Sequence, residues 1–414
     1  MKALVISPQP FFTCRGTPLS VYYRTLITTE LGVSVDLLTY GEGEDVDIAG
    51  VNIIRIPRFK FLGPVKVGPS GLKLFLDIFI FFKAISLLIK NRYTFVHAHE
   101  EAVFFCWFLK PIFKFKLVYD MHSSLPEQLT NFEFTRSKLL IGLFGWLERQ
   151  CLKVADVTIT ICPSLYNYAR SLAPPQSFVT LIENSIFDEV NFAQPVLSGR
   201  KLDNFFADKR LVLYAGTLER YQGIDLLIAG CKTVMEKEPD LFLLIIGGTP
   251  AQVEHYTKLA KKCGISQRCQ FMGKVAPQLA KYYGSLATVQ VSARTSGTNT
   301  PLKIYEQISR GIPLVATNIA SHTQVLDENV AFLVEPTPEG IARGIAAAIA
   351  PASEPKRKAA RAKRLYERRY SRHIYKDKMR DILAHLRDQF ISSSIPSMAI
   401  ERDCDYLVDR RGGR

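Results

Sequence analysis

The sequence lacks the motifs of several large enzyme classes. It contains no phosphate-binding P-loop and no GxSxG turn for a serine nucleophile. The glycine pair Gly41 and Gly43 has no third glycine and no helical pattern after it. P-loop nucleoside triphosphatases and α/β serine hydrolases are therefore excluded. An NAD-dependent oxidoreductase is an alternative that the missing fingerprint argues against, and nicotinamide binding in a thermal-shift assay would revive it.

Metal-binding and disulfide patterns are also missing. The eight cysteines are scattered, with no CxxC pair and no metal-ligand spacing. Two Asp-x-Asp triplets, Asp45–Asp47 and Asp403–Asp405, look like metal-binding carboxylate pairs. The first lies in an acidic turn and the second in an expected polar tail, so we interpret both as solvated charge. We expect a reduced, cytoplasmic protein that uses no metal and no cofactor.

The chain has no signal-peptide pattern and no uninterrupted membrane span. It leads straight into a strand-like segment, so we expect no leader. The most hydrophobic helix candidate, Leu72–Ile89, is interrupted by Lys73, Asp77 and Lys83, which argues against a transmembrane helix. A helix that is apolar on most sides is usually buried. The alternative is an interfacial helix on a membrane, with basic neighbours that complement anionic headgroups: Arg58, Lys60, Lys66, Lys90 and Arg92.

Positive charge is what the chain has in excess, with a formal net charge of +14. Twelve Lys or Arg residues outnumber three acidic ones between Pro351 and Arg380, and seven outnumber one between Pro57 and Tyr93. No RNA- or DNA-binding motif accompanies these runs, so we expect no nucleic-acid partner. The favoured partner is an anionic membrane surface, with the protein peripheral on the inner face of the membrane. The alternative is that the basic residues form a solvated helix face.

Short buried strands alternate with helical patterns in both halves of the chain. This alternation predicts an α/β protein with parallel sheets covered on both faces. Two such units in tandem predict two Rossmann-like domains that face a cleft, where ligands bind beyond the carboxyl ends of the strands. The predicted strands are Lys2–Ser7, Val33–Thr39, Val51–Ile56, Phe95–His99, Leu117–His122, Val157–Ile161, Phe178–Ile182, Leu211–Ala215, Leu241–Gly247, Gln270–Met272, Thr288–Ser292 and Leu314–Thr317.

The predicted domain limits follow from this pattern. Residues 1–187 form an N-terminal acceptor domain, and residues 188–374 form a C-terminal domain for the donor. Residues 375–391 are expected to form a helix that crosses back to the first domain. Residues 392–414 are polar without an apolar face, and we expect a mobile tail.

The segment Arg294–Thr317 is the most informative part of the sequence. Pro301 suits the first position of a helix, and Thr300 is the expected N-cap. The N–H groups of Gly297, Thr298 and Asn299 would then form an anion site at the helix N-terminus. Lys303 adds positive charge, and Glu306 lies one turn later on the same face. The pattern indicates a nucleotide site, although Pro-capped helices of this kind also occur in α/β proteins for structural reasons alone.

This segment resembles that of retaining glycosyltransferases of the family-4 type, also called group 1, which have the GT-B fold. Their pattern P-x-K-x-x-E … G-x-P-x-V-A-T is matched by Pro301, Lys303, Glu306, Gly311, Pro313, Val315, Ala316 and Thr317. The resemblance extends over about residues 1–390. It implies a nucleotide-diphosphate sugar as donor substrate, a diphosphate held by the loop and Lys303, and a ribose accepted by Glu306.

The sequence departs from the family pattern at three positions. In the family's G-R-L-x-x-x-K-G segment the Arg and Lys neutralise the diphosphate, but here Thr217 and Gln222 stand in their places. Arg220, in the same loop, and Lys303 are the expected substitutes. The first glutamate of the family's pair is replaced by Thr298. These departures motivate the alternative of a degenerate member that binds a nucleotide or lipid without transferring sugar.

Two further residues of the first half are candidates on the same grounds. Gly16 follows the first strand and would let backbone N–H groups approach a phosphate closely. His122 lies at the carboxyl end of a strand, and the matching histidine of the family sits near the transferred sugar, although a lone histidine is often structural. We therefore predict a hexosyltransferase acting in glycolipid or polysaccharide synthesis, with a sugar or lipid-linked acceptor.

Overall fold

Two separate sheets of parallel strands form the framework of the molecule. The computed structural model describes residues 1–13, 16–63, 65, 70–124, 126, 137–184, 203–206 and 208–394. The strands are β1 Lys2–Ser7, β2 Ser34–Thr39, β3 Val51–Arg55, β4 Phe95–His99, β5 Lys116–Met121, β6 Val157–Thr160, β7 Phe178–Leu181, β8 Arg210–Ala215, β9 Leu241–Ile246, β10 Cys269–Phe271, β11 Val289–Ser292, β12 Leu314–Thr317 and β13 Phe332–Val334.

Each sheet follows the order expected when helices connect parallel neighbours. The first has the order β3-β2-β1-β4-β5-β6-β7, and the second has the order β10-β9-β8-β11-β12-β13. All of the recorded pairings are parallel. Parallel strands need crossover connections, and helices on both faces provide them.

The helices cover both sheets. They are α1 Gly16–Glu30, α2 Gly71–Lys90, α3 Ala102–Phe113, α4 Lys138–Val154, α5 Pro163–Leu172, α6 Asp203–Phe206, α7 Ile224–Met235, α8 Pro250–Lys262, α9 Pro277–Leu286, α10 Leu302–Ser309, α11 Ala320–Thr323, α12 Pro338–Ile349, α13 Ser353–Arg369 and α14 Arg372–Ser394. We call the first sheet with α1–α5 and α14 the first unit, and the second sheet with α6–α13 the second unit.

Burial on both faces explains the composition of the central strands. All six residues of β9, Leu241–Ile246, are apolar and buried, because helices cover the sheet on either side. In the first unit, α2–α5 share one core with one face of the sheet. Helices α1 and α14 share a second core with the other face.

The last described helix returns to the first unit. Its side chains Tyr375, Met379, Ile382, Leu383 and Leu386 lie in the same core as strands β1 and β2. The predicted limit between residues 374 and 375 falls inside this continuous helix, and residues 392–394 also belong to it. The limit between residues 187 and 188, and the rest of the predicted tail, lie outside the described residues.

The predicted strands agree with the structure to within one residue at each end. Strand β13, Phe332–Val334, is not among them. The start of α10 is a correction. Pro301 has an extended ψ of 138° and occupies the N-cap position, so the helix begins at Leu302 and Thr300 is not its N-cap.

Candidate active site

The two units meet where strands of both sheets end. Asn299, in the loop after β11, donates from Nδ2 to the main-chain oxygen of His122, which follows β5, over 2.8 Å. Gly16 begins α1 after β1, and a methyl group on it would lie 3.4 Å from Cδ1 of Leu302. The carboxyl ends of parallel strands are where such sheets bind ligands, so these contacts outline the candidate site.

The predicted anion loop is held through a main-chain oxygen, and its main-chain N–H groups have no hydrogen-bond acceptor within the described residues. Gln324 donates from Nε2 to the oxygen of Thr298 over 2.6 Å, and its Oε1 accepts from the N–H of Ser164 over 3.0 Å. Among the described residues, no hydrogen-bond acceptor faces the N–H groups of Gly297, Thr298 and Asn299. A loop fixed in this way offers its N–H groups to an anion without reorganisation.

The ammonium group of Lys303 is partly buried between polar and aromatic side chains. Its Nζ donates to Oε1 of Gln222 over 2.9 Å and lies 4.3 Å from the ring centre of Tyr214. No carboxylate in the described part of the chain forms an ion pair with it. Burial, with the neighbouring charge of Arg294, lowers the pKa of Lys303 to about 7. An anion arriving here would stabilise the charged form.

Arg294 adds a second cation beside the loop. Its Nη1 donates to the oxygen of Asn299 over 3.1 Å, and its guanidinium lies 5.1 Å from the ring centre of Tyr221. Its Nε is buried without a partner among the described atoms. Gly297 has a φ of +128°, and a Cβ there would lie 2.3 Å from the guanidinium. The glycine is therefore required for this close approach.

The two departures from the family pattern are joined to Lys303. Gln222 is buried, and its Nε2 donates to Oγ1 of Thr217 over 3.4 Å while its Oε1 accepts from Lys303. Thr217 is exposed, and its main-chain oxygen accepts from the hydroxyl of Tyr214 over 2.6 Å. Arg220 is exposed and has no side-chain partner within the described residues. Thr217 and Gln222 thus orient Lys303, and Arg220 is free to contact a ligand.

Glu306 is fixed by an ion pair and remains accessible. Its Oε1 accepts from Nη2 of Arg310, one turn further along α10. Arg310 is anchored in turn because Nη1 donates to Oε1 of Gln290 over 3.3 Å. The carboxylate of Glu306 retains 38% of its exposure, so it can accept further hydrogen bonds, as from a vicinal diol.

A buried polar cluster lies at the ends of β4 and β5. Arg24 of α1 donates from Nε to Oδ2 of Asp120 over 2.9 Å, and both side chains are fully buried. His97 Nε2 lies 3.1 Å from the same carboxylate oxygen. His122 Nε2 lies 3.4 Å from Oδ1 of Asp120 and 3.2 Å from Nδ1 of His99. The side chain of His122 is thus held inside the protein, and its main-chain oxygen faces the second unit.

Charges in this cluster are set by burial and by the Arg24–Asp120 pair. Burial alone would raise the pKa of Asp120, but Arg24 and the histidines hold it well below its ordinary value. Burial lowers the pKa of His122 to about 4, so its ring is neutral at pH 7. His97, His99 and Asp120 are close enough to share an ion. The guanidinium already bound to Asp120 opposes a metal cation at this place.

Two family models match the chain. The model described as Glycosyltransferase Family 4 matches residues 24–189, and the model described as Glycosyl transferases group 1 matches residues 200–365. The chain belongs to the group 1 glycosyltransferases of the family-4 type. An oxidoreductase is thereby set aside, and glycosyltransferase is the enzyme class of this chain.

Known proteins resemble this glycosyltransferase along most of its length. An uncharacterised glycosyltransferase of Methanocaldococcus jannaschii is 22% identical over 328 residues, which cover 75% of this chain and 81% of that one. The structure of sucrose-phosphate synthase from Thermosynechococcus elongatus is similar with a TM-score of 0.72 and 19% identity, over 95% of this chain and all of that one. Anabaena HepE in complex with UDP and glucose is similar with a TM-score of 0.69 and 15% identity, over 93% and 99% of the two chains. These likenesses show the GT-B fold.

Three contributors to the glycosyltransferase site were not singled out from the sequence. Tyr214 lies under the Lys303 ammonium, Arg24 pairs with Asp120, and His322 supports the loop through Ser292 and Thr317. Burial lowers the pKa of His322 to about 4. Arg24 is the charged residue on the buried face of α1, but that face also contains Ser20, Thr25 and Thr28, so no apolar pattern in the sequence singled it out. The Asp45 carboxylate is fully exposed at 3.6 Å from Arg55, as a solvated charge would be, and residues 403–405 lie outside the described residues.

Proposed function

We propose that this glycosyltransferase moves a sugar from a nucleoside diphosphate sugar to an acceptor, with retention of configuration at the anomeric carbon. The observation that carries the proposal is the partly buried ammonium of Lys303, which has no acidic partner in the described part of the chain. A buried cation without a counter-ion is costly, and a bound diphosphate would supply the missing charge. The UDP and glucose held by Anabaena HepE, a protein of the same fold, support this choice of donor.

We propose that the donor binds on the second unit. Lys303, Arg294 and Arg220 would neutralise the diphosphate, and the N–H groups of the loop from Gly297 to Thr300 would donate to its oxygens. Glu306, fixed by Arg310 and accessible, would accept the ribose hydroxyls. Gly16 lies opposite, near Leu302, where its lack of a side chain leaves room for the donor phosphates.

The reaction we propose is a displacement on one face of the sugar. The bond from the anomeric carbon to the diphosphate oxygen breaks, and the acceptor oxygen bonds to the same carbon from the same side. The departing phosphate oxygen takes the acceptor proton. Charge grows on that phosphate in the transition state, so cations already aimed at it lower the barrier. The main chain of His122, whose ring is held inward by Asp120, would border the sugar's place beside Asn299.

The acceptor is placed on the first unit, and we propose a membrane-borne or polysaccharide acceptor. The excess of basic and apolar residues on that unit supports a lipid-linked acceptor in particular. No helix among the described residues combines the length and the apolar character that a membrane span requires.

A degenerate nucleotide-binding protein without transferase activity is the second candidate. Thr217, Gln222 and Thr298 replace charged residues of the family pattern and motivate it. The contact of Gln222 with Lys303 favours the enzyme, since the glutamine that replaces the family's lysine accepts a hydrogen bond from Lys303 and orients it.

A donor-hydrolysis screen across UDP-, GDP- and ADP-sugars tests the proposal. Wild type should slowly release one nucleoside diphosphate, whereas Lys303→Ala and Glu306→Ala should each lose at least about tenfold in rate. Lys303 would contact the charge that grows on the leaving phosphate, and Glu306 would hold the ribose that positions it. Lys232→Ala, an exposed lysine of α7, is the matched control and should behave as wild type. Nucleotide binding without release, even with membrane lipid added, would establish the degenerate protein instead.

A further inference from the structure

Three neighbouring helices of the first unit expose large apolar side chains to solvent. Ile89 of α2 and Ile112 of α3 are each 70% exposed, and Leu139 of α4 is 81% exposed. Monomeric soluble proteins rarely expose such residues as one continuous patch unless the patch binds something. We call this surface the three-helix apolar face, and its members are Leu74, Phe75, Ile78, Phe82, Ile89, Phe108, Ile112, Leu139, Leu140, Leu143 and Trp146.

Partly buried aromatic side chains join the three helices beneath the face. The rings of Phe81 in α2 and Phe105 in α3 are 6.1 Å apart between centres. Trp107 of α3 and Trp146 of α4 are 6.0 Å apart, edge to face. The opposite sides of the same helices fill the core against the first sheet. The outward apolar residues are therefore not needed to complete that core.

The charges around the face have one sign. In residues 70–124 and 137–156 no acidic residue is exposed. Asp156 is paired with Lys110 at 2.6 Å, and Glu101 is paired with Lys73 at 2.6 Å. The exposed charged residues of the three helices and their ends are all basic: Lys83, Lys90, Arg92, Lys114, Lys138, Arg149 and Lys153.

A groove at the end of α3 combines the same two properties. It has a volume of about 740 Å³ and is lined by the apolar side chains of Trp107, Phe108 and Pro111. Three lysines also line it: Lys114 is exposed, whereas Lys110 and Lys116 both pair with Asp156 in the same lining. Apolar walls beside ammonium groups suit acyl chains below anionic headgroups.

We propose that the three-helix apolar face docks on an anionic lipid bilayer, with its apolar side chains among the headgroups and its lysines against lipid phosphates. Protein interfaces are depleted in lysine, whereas anionic membranes attract it, so the uniform basic charge favours lipid over a protein partner. In the described chain, helices α2 and α4 are the next α-helices after β3 and β5, whose carboxyl ends lie at the edge of the sheet that holds the candidate site. Docking would then bring that edge to the membrane. The idea that docking brings the active site to a membrane-borne acceptor rests on the proposed function, whereas the binding of the face to lipid does not.

Sedimentation with vesicles tests the proposal without any donor. The vesicles are made of phosphatidylcholine alone, or with about one-third phosphatidylglycerol. One variant, Phe82→Ser/Ile112→Ser/Leu139→Ser, changes one apolar residue of each helix. A second variant, Lys83→Glu/Lys138→Glu/Arg149→Glu, reverses charge on α2 and α4. The matched controls are Leu286→Ser, an exposed leucine of the second unit, and Lys356→Glu/Arg357→Glu/Arg361→Glu, which reverses exposed charges on α13.

The wild type should bind the anionic vesicles and not the neutral ones, and each face variant should bind at least about tenfold more weakly. Both controls should bind as wild type. Binding lost only in the α13 control would overturn the proposal, as would wild type that ignores both vesicles. Dimers of wild type that the apolar variant abolishes, without vesicle binding, would instead make the face a contact between copies of this chain. All variants change exposed side chains, so equal midpoints of thermal unfolding check their folding, and equal donor hydrolysis without vesicles separates this test from that of the proposed function.

Discussion

At the scale of single residues, the second unit's site is built around one lysine whose charge the protein does not satisfy. Lys303 touches an amide and an aromatic ring, and the nearest cation, Arg294, opposes its protonation. The protein thus carries a destabilising charge where a diphosphate is expected. A ligand that removes this cost gains affinity from it, because the site is organised before binding.

Removal of the Gln222 amide should weaken donor binding without unfolding the site. In Gln222→Ala, Lys303 loses its hydrogen bond to Oε1 and the link to Thr217. We expect the donor affinity to fall by about tenfold, in line with a hydrogen bond to a charged group. Isothermal titration with the nucleoside diphosphate measures this. Unchanged affinity would show that Gln222 does not orient the lysine.

Replacement of Lys303 should stabilise the protein in a pH-dependent way. The folded pKa of about 7 lies below the ordinary value of 10.5, so between these values the unfolded chain holds a proton that the folded protein has lost. Wild-type stability therefore rises with pH across this window. Lys303→Met should be more stable than wild type by about 1–3 kcal/mol at pH 6, and by less at pH 9.

Urea unfolding followed by circular dichroism at the two pH values measures the difference. Lys232→Met, which replaces an exposed lysine, should show none at either pH. An equal difference at pH 6 and pH 9 would contradict a partly buried ammonium with a lowered pKa.

At the scale of elements, the loop after β11 positions the site because its backbone is constrained. Gly297 adopts a φ of +128° and lies against the Arg294 guanidinium. The hydroxyl of Thr317 donates to the main-chain oxygen of Arg294, and Nδ1 of His322 donates to the main-chain oxygen of Thr317 over 2.8 Å. The loop is therefore supported from β12 and α11 rather than by its own residues alone.

A side chain at Gly297 should disrupt the site more than its backbone strain explains. In Gly297→Ala the new methyl would displace Arg294, so we expect donor affinity to fall by at least about tenfold and stability by about 1–3 kcal/mol. Gly264→Ala is the matched control, because Gly264 has a φ of +79° but nothing within 4 Å of a Cβ. It should lose stability alone. Equal donor binding by both variants would count against the role of the loop.

The sequence predicts elements better than it predicts contacts, for a physical reason. Strands buried on both faces are continuous apolar runs, and their ends were placed to within one residue. Strand β13 was not predicted. The pairing of Arg24 with Asp120 joins residues 96 positions apart, and that of Gln222 with Lys303 joins residues 81 apart. Such pairings depend on how helices lie on the sheet, which no local pattern records.

The candidate residues divide along the same line. The motif placed Lys303, Glu306 and the loop from Gly297 to Thr300 together, since they are close in sequence. It also assigned His122 to the cleft, but the structure turns that side chain inward to Asp120 and leaves its main-chain oxygen to Asn299. Direct roles of these residues in transfer stay predictions that the hydrolysis screen will test.

At the scale of the whole molecule, α14 joins the end of the described chain to its beginning. Leu386 is fully buried in the core that α1 and the first sheet provide. Leu386→Ala should therefore destabilise the first unit by about 2–5 kcal/mol. Leu286→Ala, at an exposed leucine of the second unit, should change stability by less than about 0.5 kcal/mol.

Tryptophan fluorescence measures this unit selectively. Both tryptophans of the chain, Trp107 and Trp146, lie in α3 and α4 of the first unit. Their unfolding midpoint in urea should shift in Leu386→Ala and stay in place in Leu286→Ala. An unshifted midpoint in the first variant would mean that α14 contributes nothing to the first unit.

The return of α14 also means that the second unit is an insertion within the first, between Asn184 and Arg372. A ribosome makes the first unit's opening strands, β1–β3, early, but the last helix that closes their core emerges more than 300 residues later. The intervening unit has its full set of strands by then and can fold without waiting. During synthesis from the N-terminus, the second unit would therefore be completed first. The first unit, which begins the chain, would be completed last.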